Sequence, residues 1–193
     1  MPAPNRTRYA VLGFLTQQPM SGYDIKKAVE RSIDNFWSES FGQIYPILKR
    51  LSEEGLVEKE AAAENGKRPR HVYSITEKGR EELRGWLREP TAAPQLRVEL
   101  LLKLFFGGQA DAQTNRRQIE AYRERVASDL DRYRSIATWL KSEQADHADL
   151  PFWLITLRYG EREREALLGW CDEALSALDR IPDAAYASTG ADV

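Results

Sequence analysis

The sequence predicts a mainly α protein with one small β-hairpin, split into two parts of different character. Three observations carry this. Apolar residues recur at spacings of three and four along most of the 193 residues, the period of amphipathic helices. The period drops to two around residues 56–59 and 71–75, with Asn65-Gly66 as a turn signal between them. The stretch EPTAAPQ, residues 89–95, then interrupts every pattern with two prolines.

Composition bounds the class. Charged residues make up 30% and apolar ones 42%, as in globular domains, and the length suits one large domain or two small ones. No apolar run approaches the ~20 residues of a membrane helix, and the start, MPAPNRTRYA, lacks the apolar core of a secretory signal. A cytoplasmic protein with no membrane partner is expected. Cys171 is the only cysteine, which excludes an intrachain disulfide; with two histidines it cannot complete a zinc site within one chain. No metal or cofactor is expected. The net charge of −2 hides a division: residues 1–90 carry 15 Lys and Arg against 13 Asp and Glu, and residues 91–193 carry 13 against 17. The positive charge of the first part is concentrated in a few places, and local clustering governs attraction to a polyanion.

In chain order, Arg6 to Gln17 reads as a first helix. QQPMSGYD is a break, with Ser21 as N-cap of a second helix over Gly22–Ser32. The organising stretch is SFGQIYPILKRLSEEG, residues 40–55. Ile44, Ile47, Leu48 and Leu51 share one face, while Gln43, Tyr45, Lys49 and Arg50 point elsewhere and can donate to base edges or phosphates. Pro46 belongs close to the helix start, with Ser40 as cap and an irregular first turn, and Gly55 stops the helix. Leu56 to Lys59 and His71 to Ile75 are paired strands. The loop AAAENGKRPR between them carries Lys67, Arg68 and Arg70 at its tip, stiffened by Pro69. Thr76 caps a helix from Glu77 to about Arg88.

Helix, helix, helix, strand, basic loop, strand, helix is the order of a winged helix-turn-helix, in which the third helix enters the major groove. A Lys/Arg-bearing third helix followed by a cationic loop therefore predicts double-stranded DNA as a partner. The predicted organisation is residues 1–88 as the DNA-binding domain, 89–95 as a hinge, 96–182 as a helical dimerisation domain and 183–193 as a loose tail. In the helical part, LRVELLLKLFF over residues 96–106 is followed by a long helix from an Asp111 cap to about Ala145, and a last helix opens at Pro151. Ile119, Tyr122, Val126 and Leu130 form a narrow seam. Trp153, Leu157, Trp170 and Leu175 belong to a wide apolar face. Both are expected to pair two chains, because DNA readers of this size work as two-fold dimers on paired half-sites.

Two rival classes are weaker. An enzyme is not expected: there is no phosphate-binding glycine loop and no nucleophile elbow, His71 and His147 have no nucleophile nearby in sequence, and Cys171 sits among apolar neighbours. The alternative is a winged-helix adaptor that binds proteins without DNA readout, and the basic loop weighs against it.

SGYDIKK at 21–27, Phe36-Trp37, GQIYPILKRLSEEGLV at 42–57 and RPRHVYSITEKGREEL at 68–83 resemble the PadR family of transcriptional regulators. WLITLRYGEREREALLGWCDEALSAL at 153–178 is similar to the virulence-activator-like C-terminal domain of the longer PadR subfamily. The resemblance implies a repressor that binds an inverted-repeat operator as a homodimer. By position it puts Tyr23 and Lys26 of the second helix, with Gln43, Tyr45, Lys49, Arg50, Lys67, Arg68 and Arg70, at DNA; Tyr45 also fits a structural role beside Pro46, and Tyr73 a core one. It further implies release by a small aromatic or amphipathic effector, for which Phe36, Trp37, Phe105, Phe106 and Trp153 are the candidate lining of a pocket at the dimer interface.

Overall fold

The computed structural model of the chain describes residues 6–33, 36–37, 44–62, 70–94, 96–182 and 185–186, leaving aside the side chains of residues 31, 61, 62 and 70. It forms two compact units that divide between Ala93 and Pro94.

In the first unit the elements are α1 (Thr7–Gln17), β1 (Met20–Ser21), α2 (Gly22–Ser32), α3 (Ile44–Glu53), β2 (Val57–Ala62), β3 (Arg70–Ile75) and α4 (Glu77–Leu87). The antiparallel sheet has the order β1-β3-β2, with Val57 opposite Ile75, Ala62 opposite Arg70 and Met20 opposite Tyr73. β1 was not expected; the sequence reads there as a break. Two residues are too few to show a period of two, and only pairing with β3 makes them a strand. β2 also extends three residues past the expected Lys59.

The core is the apolar face of each helix. Val11, Leu12 and Leu15 of α1, Ile25 and Val29 of α2, and Ile44, Ile47, Leu48 and Leu51 of α3 are all at most 5% exposed. α2 begins with a reciprocal cap: Asp24 N donates to Ser21 Oγ, and Ser21 N donates to Asp24 Oδ2, each at 3.2 Å. α3 ends where Gly55 takes φ +70°; Leu56 N donates to Leu51 O at 2.8 Å and Gly55 N to Ser52 O at 3.1 Å, which satisfies two end carbonyls. This end is tied to α4. Thr76 Oγ1 accepts from Gly79 N and donates to Gly55 O, and Lys78 Nζ donates to Glu54 O at 2.8 Å. Gly79 lies against the Leu56 carbonyl so closely that a side chain there would collide with backbone.

The second unit holds α5 (Glu99–Phe105), a 3-10 turn at Gly107–Gln109, α6 (Ala112–Glu143) and α7 (Leu150–Leu178). α5 starts three residues later than expected, and Leu96 is exposed. Asp111 caps α6, its Oδ1 accepting from Thr114 N at 2.7 Å. α6 and α7 form a long antiparallel hairpin, pinned along its outside by Arg123–Asp172 at 2.7 Å, Arg134–Glu165 at 3.1 Å and an Arg116–Asp179 pair. Gly160 admits the buried Tyr133 ring: a Cβ at 160 would lie 2.7 Å from Tyr133 Cε2.

This hairpin corrects one expectation. Ile119, Val126, Leu130 and Leu157 were assigned to a surface between chains, yet they are 1–5% exposed within a single chain. Most of the α6 seam is buried within its own chain, since periodicity shows that a face is apolar and not what covers it. Tyr122, Trp153, Trp170 and Leu175 are half-buried, with Tyr122 edge-on to Trp170 at 6.3 Å. The expected tail falls almost wholly on residues 183–184 and 187–193, outside the described residues.

Candidate nucleic-acid interface

α3 presents two opposed faces. Ile44, Ile47, Leu48 and Leu51 fix the helix to the core, so Tyr45, Pro46, Lys49 and Arg50 are held outward. Pro46 falls in the first turn, where its missing N–H costs nothing. The Tyr45 side chain stays 63% exposed. Lys49 lies 3.8 Å from Glu53 with both side chains open to solvent, a pair worth little that a phosphate can displace. Among the described residues Arg50 makes no ion pair.

α2 adds a second cationic element. Lys26 faces Glu30 at 3.6 Å and is half exposed. Tyr23 is 47% exposed, and Lys27 Nζ stands 4.5 Å above its ring centroid. Lys27 was not singled out from the sequence, although its i,i+4 spacing from Tyr23 was the available signal. Gln43, Lys67 and Arg68 lie outside the described residues, as does Ser40; Arg70 opens β3, and its side chain is not described. β2 and β3 lead to the ends of that loop at Ala62 and Arg70.

The expected effector residues are divided between the two units. Phe105 and Phe106 are 81% and 60% exposed and stack edge-on at 5.0 Å. Phe36 is exposed and Trp37 half-buried in the first unit, and Trp153 packs against the Tyr133 cluster and the His147 ring. A cavity of about 320 Å³ lies elsewhere, lined by Tyr9, Lys78, Glu81, Glu82, Gly85, Trp86 and Glu89, with Tyr9 and Trp86 stacked at 4.5 Å. The Cys171 thiol is buried, and burial pushes its pKa up, so it is a poor nucleophile. No helix among the described residues is long and apolar enough to cross a membrane.

A three-helix array, a three-stranded sheet and an outward cationic third helix define a winged helix-turn-helix protein carrying a second, helical unit. Comparison with known proteins agrees. Residues 11–85 match the transcriptional regulator PadR-like family, and residues 96–179 match the virulence activator alpha C-term family. A probable transcriptional regulator of Mycobacterium tuberculosis is 30% identical over 182 residues, covering 88% of this chain and 96% of that protein. The negative transcriptional regulator PadR of Bacillus subtilis is 26% identical over 178 residues, covering 90% of this chain and 97% of its own length. The crystal structure of Bacillus subtilis PadR in complex with operator DNA is similar, with a TM-score of 0.77 and 25% identity over 90% of this chain and 99% of that one. The chain belongs to the PadR-like family of transcriptional regulators, which bind DNA and are not enzymes.

Proposed function

We propose that this protein is a repressor that binds an inverted-repeat operator as a homodimer, with α3 in the major groove and the β2–β3 loop along the backbone. The observation that carries it is the pair of faces on α3: four apolar residues anchor the helix while Tyr45, Lys49 and Arg50 stand free of the core. Lys26 and Lys27 on α2 add positive charge to the same unit, and Gln43, Lys67, Arg68 and Arg70 are assigned to DNA from the sequence. Repression and operator binding are drawn by similarity from the Bacillus subtilis relative, which is named a negative regulator and has been crystallised on operator DNA.

Pairing of chains falls to the second unit. With Ile119, Val126, Leu130 and Leu157 already buried, the surface that remains is the exposed apolar set: Leu101, Leu102, Phe105 and Phe106 on and just after α5, and Phe152, Ile155 and Tyr159 at i, i+3, i+7 along α7. Soluble monomers rarely leave such stripes open. The half-buried Tyr122, Trp153, Trp170 and Leu175 are assigned to the same pairing of chains. Release by a small aromatic or amphipathic ligand completes the proposal, supported by the exposed Phe105-Phe106 pair and the aromatic residues Phe36, Trp37 and Trp153.

The test is a titration of duplex DNA at several salt concentrations together with sedimentation of the free protein. A dimeric reader loses affinity steeply with salt, with a slope set by its phosphate contacts. An adaptor without DNA readout binds little at any salt, and a monomer at all concentrations refutes the pairing.

A further inference from the structure

We infer that Gly22 is a positioning residue for DNA readout: lacking a side chain, it lets the Tyr45 ring lie across the start of α2, and this contact sets how the exposed face of α3 stands against α2. The inference rests on the reading of α3 as the base-facing element. A Cβ at position 22 would lie 2.7 Å from Tyr45 Cε1 and 3.2 Å from Cδ1 and Cζ. Real side chains do not tolerate the first of these distances, so any residue but glycine must move the ring.

Nothing else at the site calls for glycine. Among the described residues the only positive φ belongs to Gly55, so Gly22 has a backbone that any residue adopts. It is the first residue of α2, where alanine is the better helix former. Ser21 and Asp24 already satisfy the helix start with their reciprocal cap. The Tyr45 ring is the reason that remains.

The Tyr73 phenol is raised above its ordinary value first by burial and then by the phenol of Tyr45. Tyr73 lies opposite Met20 in the ladder between β1 and β3, two residues before Gly22. Tyr45 therefore sits where α3 meets the start of α2 while remaining mostly exposed. A methyl group at 22 strikes the far end of a side chain that can swing into solvent. The fold survives, and the surface offered to DNA changes.

The experiment uses the full chain and four proteins: wild type, Gly22→Ala, Tyr45→Ala and the double variant. Fluorescence anisotropy is measured on a duplex recovered by wild-type selection from a random pool and on a scrambled duplex of equal length. Gly22→Ala should lower the preference for the selected duplex by about tenfold, the scale of a forced repacking, with binding to the scrambled duplex unchanged. In the Tyr45→Ala background the same substitution should leave the preference alone and raise the melting temperature, because only helix propensity is then left. An unchanged preference in Gly22→Ala overturns the inference. An equal loss in the Tyr45→Ala background also overturns it, by assigning the effect to α2 itself. Lys49→Ala with Arg50→Ala, run alongside, separates the two levels: if that pair leaves binding intact the α3 reading falls as well, and if it weakens binding while Gly22→Ala is silent, only the role of Gly22 falls.

Discussion

Replacing Lys49 and Arg50 together by alanine removes the two outward cations of α3. Neither side chain belongs to the core, which Ile44, Ile47, Leu48 and Leu51 hold on the opposite face. Among the described residues the one ion pair lost, Lys49–Glu53, is exposed on both sides and contributes at most about 1 kcal/mol to stability. The thermal midpoint should therefore move little. DNA binding should move a great deal. If each cation neutralises one phosphate in each chain of a dimer, four contacts disappear, and the slope of log K against log salt flattens by about 3.6, at roughly 0.9 per contact. The assay is anisotropy on one duplex across 50 to 300 mM salt (on the order of the range over which such slopes are resolved), repeated on a scrambled duplex. A slope that stays within about one contact of the wild type refutes the placement of α3 on DNA, whatever happens to the absolute affinity.

Three further outcomes follow from the same geometry. Replacing Lys67, Arg68 and Arg70 together by alanine should weaken binding to selected and scrambled duplexes alike and flatten the salt slope, because backbone contacts position without specifying; a loss confined to the selected duplex, read in the same anisotropy titration, contradicts this. Gly160→Ala should destabilise the second unit by about 1–3 kcal/mol in urea unfolding, since the Tyr133 ring it strikes is buried and cannot swing away; wild-type stability would mean that α6 and α7 are not so closely apposed. The Asp111 carboxyl is held below its ordinary value by Thr114, through its hydroxyl first and its N–H second. A lowered folded value means stability that is present at neutral pH and lost as pH falls from the unfolded value through the folded one. Asp111→Asn keeps a competent cap and should lose that acid dependence, whereas Asp111→Ala should lose the cap as well; identical acid unfolding profiles for wild type and Asp111→Asn would exclude the linkage.

Local signals in the chain were enough for most of the first unit. Ser21 and Thr76 are caps because a hydroxyl before an amphipathic run satisfies free N–H groups wherever that run packs. Gly55 ends α3 because only glycine takes φ +70° without strain. The outward direction of Lys49 and Arg50 follows from four apolar residues at helical spacing.

What the sequence determined, then, was which residues form each helix, which face of it is apolar and where it stops, because these depend on spacing and on backbone conformation within a few residues. Tertiary structure alone decided who covers each face: that most of the α6 seam is buried within its own chain, that Met20 and Ser21 become a strand against β3, and that Tyr45 rests on Gly22. Each is a contact between segments distant along the chain, and a one-dimensional pattern carries the appetite of a surface for burial without the identity of its partner.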